Sequence, residues 1–110
     1  NTLTAQNLLT NVNFELGNTG FTTDYQYYTT APSGGVQKAY GIVTAPSAWF
    51  SPFSACTDHT SGSGKMMVID GSNVNGGNDK FWSQTVSTSA NINYTFSYWS
   101  FTYYCLHISC

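Results

Sequence analysis

Apolar residues in this chain alternate with polar ones over short runs, and nowhere do they recur at the 3.6-residue spacing that buries one face of a helix. Alternation with a period of two, cut by clusters of Gly, Pro, Asn and Ser, predicts an all-β protein built from short strands. Leu8 to Glu15 reads as a first strand closing on the turn Gly17-Asn18-Thr19-Gly20. Phe21 to Thr30 reads as a second, with Tyr25 and Tyr27 on one face and Tyr28 on the other. After a break from Pro32 to Gly35, a shorter strand runs from Gln37 to Val43, and Pro46 then opens an irregular loop carrying Trp49, Phe50 and Phe53. Lys65 to Asp70 is a short apolar strand with charged ends, followed by a loop from Gly71 to Asp79 whose Asn75-Gly76 pair suits positive φ. Phe81 to Ser87 returns as a strand. The strand from Asn93 onward sets Tyr94, Phe96 and Tyr98 on one face, as core, and Thr95, Ser97 and Trp99 on the other. Strands spaced by about ten to twelve residues with turns between them predict a sandwich or barrel.

Composition narrows the function. The 110 residues make room for one domain, and a hydrophobic share of 41% is enough for a core. Charged residues are only 7% of the chain, against roughly 25% in an ordinary soluble domain. There is no Arg, and the Lys residues are Lys38, Lys65 and Lys80. Nucleic-acid binding needs a dense basic face, so that class is excluded. No apolar run approaches the ~20 residues of a membrane-spanning helix, so no membrane insertion is expected. The surface is built of Ser, Thr, Asn, Gly and Tyr, as in extracellular β proteins, and a secreted or cell-surface location follows. The chain begins at Asn1 without a basic and apolar leader, so any export signal is expected to have been removed or not included. Cys56, Cys105 and Cys110 form an odd set without CxxC spacing. One disulfide with a leftover thiol, or a partner outside the chain, are both compatible with it.

Three segments then stand out together: NLLTNVNFELGNTGF at 7–21, DHTSGSGKMMVIDGS at 58–72 and WSQTVSTSANINYTFSYW at 82–99. In that order they resemble secreted bacterial jelly-roll modules related to the family 4/9/22 carbohydrate-binding modules. Those open on an N-x-x-F-E segment and carry a W-x-Q-x-V strand followed by Y-T-F-S-x-W. The DHTSGSG piece, with Asn13-Phe14-Glu15 upstream, also resembles the MAM domain, an adhesion module of the same architecture. The resemblance covers residues 7–99 and implies an antiparallel jelly-roll β-sandwich of the galactose-binding-like type. Such modules run on for several more strands and close with an acidic segment, which the tail at 100–110 does not match. The expectation is therefore one partial module over residues 1–110, part of a larger secreted chain.

The chemistry that these residues offer is binding rather than catalysis. Asp58-His59 beside Ser61 and Ser63 suggests a hydrolase triad, but Gly62-Ser63-Gly64 has Ser61 where the nucleophile elbow requires glycine. Neighbouring residues on an extended strand point to opposite faces, which sets Asp58 badly to orient His59. The carboxylates Glu15, Asp24, Asp58, Asp70 and Asp79 show no spacing that marks a glycosidase pair. No enzyme is expected. A structural Ca²⁺ ion would take six to eight oxygens, and the resemblance carries Glu15 and Asp58 over as its ligands; the bland alternative is that Glu15 ends a strand and Asp58 caps a turn. Sugar C–H faces pack on flat rings whose polar neighbours take the hydroxyls. Tyr25, Tyr27, Trp49 and Trp99 could form such a platform, with Gln84 or Asn93 nearby. Trp49, placed in a loop, is the ring least obliged to be buried.

Two functions follow. The first is non-catalytic carbohydrate binding by an accessory module, its partner a polysaccharide or other glycan. The second is a structural or adhesive spacer without a sugar ligand. Exposed aromatics in a row would favour the first, and a Ser/Thr/Asn surface with every ring buried the second. A sandwich short of strands would also leave a raw edge, and residues 94–104, uncharged and without Pro, have the profile of an aggregating strand. The isolated chain is expected to be insoluble or oligomeric.

Overall fold

A computed structural model describes residues 6–73, 79–102 and 107–109. The Asn75-Gly76 pair, Cys105 and Cys110 lie outside them. The fold is strands joined by long irregular segments, with one helical turn. Its elements are β1 (Gln26–Tyr27), β2 (Ala39–Val43), α1 (Pro46–Trp49), β3 (Met66–Asp70), β4 (Trp99–Phe101) and β5 (His107–Ser109). β1, β2 and β3 form one sheet in that order, and β4 and β5 a second. β2 and β3 pair antiparallel over their whole length, Ala39 opposite Asp70 and Val43 opposite Met66. β1 joins the other edge of β2 in parallel, Gln26 opposite Ala39. The parallel pair departs from an all-antiparallel sandwich.

The core forms where α1 lies over β2. Ala39, Trp49 and Val68 are buried, with Tyr28, Ala31, Val36, Val43, Phe50 and Phe53 packed around them. Trp49 is 3% exposed. Pro46 at the start of α1 fixes φ for a helical turn and gives up only an N–H that has no partner there. The turn aims the indole at β2, where Gly41 has no side chain to oppose it. A Cβ on Gly41 would run into the Trp49 ring and stand 2.9 Å from the Tyr28 carbonyl. That carbonyl accepts from Trp49 Nε1 at 2.9 Å, while Ala31 N donates to Trp49 O at 2.8 Å. The loop expected after Pro46 is therefore the anchor of the core.

Leu8 to Glu15 is not a strand but a set of turns. Asn11 takes φ 49° and Phe14 φ 59°, both in the left-handed region, which Asn tolerates far better than an aromatic. The Asn11 amide donates to the Gly17 and Thr19 carbonyls, each at 2.8 Å, and accepts from Leu16 N at 3.0 Å. One side chain thus supplies the partners that a ladder would have given. Phe14 turns its ring edge-on to Phe21 at 5.9 Å.

Phe21–Thr30 and Phe81–Ser87 are likewise only partly strand. Thr22 and Ser83 form an isolated antiparallel bridge with mutual N–H···O bonds of 2.9 Å. Asp24 and Lys80 meet one step further on, Asp24 N donating to Lys80 O and Lys80 N to Asp24 Oδ2, both at 2.8 Å. On the other side Gln84 imitates a strand with its side chain: its Oε1 accepts from Thr10 N at 3.1 Å and its Nε2 donates to Thr10 O at 2.7 Å.

The strand expected from Asn93 begins only at Trp99, and Tyr94, Phe96 and Tyr98 are exposed rather than core. The tail, by contrast, does supply a strand, since β5 pairs antiparallel with β4, Trp99 opposite Ser109.

Candidate functional site

The six residues singled out from the sequence fall into four places. Glu15 and Asp58 come together at Gly64. Asp58 closes the loop 58–64: its Oδ2 accepts from Ser61 N at 2.8 Å, its Oδ1 from Gly64 N at 2.6 Å, and Ser61 Oγ donates to both oxygens at 3.0 and 3.2 Å. These N–H groups, Ser61 first, hold the Asp58 carboxyl below its ordinary pKa, against the opposing effect of partial burial. Glu15 Oε1 accepts from Lys65 N at 2.6 Å, and Lys65 Nζ donates to the Glu15 carbonyl at 3.3 Å. A Cβ on Gly64 would strike the Glu15 carboxylate and lie 2.9 Å from Ser61 Oγ and 3.4 Å from Asp58 Oδ2. Glycine is what lets the two carboxylates flank one backbone position. Among the described residues no third His, Cys, Asp or Glu joins such a group. A cation bound there would draw most of its oxygens from main-chain carbonyls and water.

Trp49 occupies the core, its N–H bonded, and offers no face to a ligand. A loop position implied exposure; the helical turn and the missing side chain of Gly41 produce the opposite. Tyr27 is half-buried against Tyr40, with ring centroids 5.4 Å apart. Tyr25, also half-buried, lies just before β1, its N–H held by Thr23 Oγ1 at 3.0 Å. Among the described residues, Tyr25, Tyr27, Trp49 and Trp99 share no ring contact with one another. Gln84 spends its amide on Thr10 in the wall of an open groove of about 340 Å³, bordered also by Leu8, Phe21 and Thr22.

Trp99 is the exception. Its indole is 61% exposed and stacks on the His59 imidazole, centroids 3.6 Å apart and planes 15° from parallel. The stack holds one face of the indole and ties β4 to the Asp58 loop. Asp58 itself faces Ser61 and Gly64 rather than His59. Beside Trp99 runs a row that sequence reasoning assigned to the core. Tyr94, Phe96 and Tyr98 expose about half their surface or more, with Phe96 5.8 Å from Tyr98 and 6.4 Å from Trp82. The sequence signal was the same alternation that marks a buried face, and alternation alone does not say whether that face is covered.

Compared with protein-family models, curated proteins and solved structures, the chain gives no match. Among the described residues no helix is long and apolar enough to cross a membrane.

Proposed function

We propose that the chain is a non-catalytic carbohydrate-binding module of a larger secreted or cell-surface protein, built on an incomplete jelly-roll sandwich. The observation that carries this reading is the exposed indole of Trp99. An indole held flat from one side by an imidazole keeps its free portion available for the axial C–H groups of a sugar. The row of Tyr94, Phe96 and Tyr98 supplies further rings, and Asn93 an amide for hydroxyls. A chain with few charges suits a neutral glycan better than an ionic ligand. The exposed rings weigh against a spacer whose aromatics are all buried. The resemblance to carbohydrate-binding modules points the same way, and with it we propose a structural Ca²⁺ ion held by Glu15 and Asp58.

The test is isothermal titration with soluble neutral polysaccharides. His59→Ala and Trp99→Ala lose the same stacking contact and should lower the melting temperature alike, but only Trp99→Ala should weaken binding, by about tenfold or more. Binding that persists unchanged in Trp99→Ala, or no binding to any neutral glycan, would reject the reading.

A further inference from the structure

We propose that the Tyr94–Thr95 peptide bond is a processing site for an extracellular endopeptidase that selects large aromatic residues, and that the cut chain stays in one piece through the disulfide of Cys56. The inference goes beyond glycan binding and rests on that reading only for the secreted setting. An endopeptidase takes its substrate as an extended strand, bonding to the backbone N–H and C=O groups along it. Those groups must be unpaired and within reach. Among the described residues, Thr85 to Ser97 are all exposed and make no backbone–backbone hydrogen bond. Small and polar residues fill most of the run before Ile92, the composition of a segment that is readily nicked.

Three observations select the bond. First, no Lys, Arg, Asp or Glu occurs after Lys80, so proteases that read charge find nothing in the segment. Second, Tyr94 is 49% exposed, and its hydroxyl accepts from Ser89 N at 2.9 Å, a contact between near neighbours at the surface that a protease pocket can replace. Third, residues 91–97 on both sides of the bond lie inside the unpaired run, whereas the residues after Phe96 lead into β4, paired with β5 from Trp99. Exposed apolar residues elsewhere are tied down. Leu16 sits in the turn closed by Asn11, and Phe81 lies between Lys80, bonded to Asp24, and Ser83, bonded to Thr22.

Hydrolysis breaks the C–N bond between Tyr94 and Thr95, with the hydroxyl of water going to the Tyr94 carbonyl carbon and its hydrogen to the Thr95 nitrogen. The pieces are residues 1–94 and 95–110. Cys56 lies in the first, and the chain's other cysteines, Cys105 and Cys110, both lie in the second. Cys56 is disulfide-bonded, so whichever of them it holds, the bridge spans the cut. Trp99 and the β4–β5 pair travel with the second piece, and reduction then frees the piece that carries Trp99.

Brief digestion of the folded 110-residue chain with chymotrypsin tests this. Mass mapping should place the first cut within residues 6–102 after Tyr94. Without reductant the product should keep the intact mass plus one water; with reductant it should part into residues 1–94 and 95–110 on denaturing electrophoresis. Because the segment is already open in the folded chain, the cutting rate should not rise with urea below the unfolding transition, measured against a small peptide substrate in the same urea. A first cut at any other bond in that range overturns the proposal, as does a folded chain that resists digestion, a rate that climbs with urea, or pieces that part without reductant. The digest needs no glycan, so its failure leaves the binding reading standing, and a chain that binds no glycan can still be cut.

Discussion

Asp58 and Gly64 show how little room a single position can have. Asp58 accepts three donors from its own loop, and each favours the carboxylate over the neutral acid. Its folded pKa therefore lies below the ordinary 3.8. A depressed carboxyl contributes stability that is present above the unfolded value and is lost as pH falls through the folded one. With a chelator present, stability should decline as pH drops below about 3.8, and Asp58→Asn should flatten that limb in urea melts taken across the acid range. An unchanged acid limb would assign the decline to other carboxylates. The same pair decides the cation. If Glu15 and Asp58 share Ca²⁺, excess Ca²⁺ should raise the melting temperature, because only the folded chain assembles the site. Glu15→Gln keeps an acceptor for Lys65 N but removes the charge, so it should abolish the rise. No Ca²⁺-dependent shift in the wild-type chain would remove the ion.

At the scale of elements, side chains replace ladders. Asn11 closes the 11–19 turn and Gln84 clamps Thr10, each standing in for a strand neighbour. Asn11→Ala loses three hydrogen bonds and places a Cβ-bearing residue without local support at φ 49°. It should cost about 1–3 kcal/mol in chemical denaturation. Asn11→Gly keeps the conformation but not the bonds, so it should lose less than Asn11→Ala. Equal losses would put the whole effect on the hydrogen bonds. The positive φ at Phe14 is held by neighbours of the same kind, through its N–H to the Asn11 carbonyl at 3.1 Å and its ring on Phe21.

Taken whole, the molecule is elongated, 55 × 32 × 24 Å, with a radius of gyration of 15.7 Å, against about 13 Å for a compact domain of this length. Among the described residues five hydrophobic side chains are buried, and other contacts help to hold the tail. The His59–Trp99 stack ties β4 to the Asp58 loop, and Cys56 forms a disulfide whose partner lies outside the described residues. Cys56→Ser should lower stability by about 2–4 kcal/mol, and a reductant should lower the wild-type melt but not that of the variant. A wild-type melt indifferent to reductant would mean that the bridge contributes nothing. At high pH a second loss should appear. Burial raises the Tyr40 hydroxyl above its ordinary 10.0, so the stability it contributes is full below that pH and falls as pH climbs through the folded value.

Alternation and turn residues determined the strand character of the chain and placed β2 and β3 within a residue or two, because a short apolar run bounded by turn residues has few other ways to bury itself. It was the resemblance to jelly-roll modules, not alternation, that singled out Glu15 and Asp58, whose carboxylates both flank Gly64. Other features depended on contacts distant in sequence. Whether Trp49 was core or surface hinged on Gly41 lying opposite it, and whether Leu8 to Glu15 became a strand hinged on the Asn11 amide outcompeting a ladder. The clearest case is Tyr94-Thr95-Phe96-Ser97-Tyr98. Its pattern says that one face is apolar, which is a property of the segment alone. Burial is a property of what lies over the segment, and among the described residues its rings stay about half exposed or more.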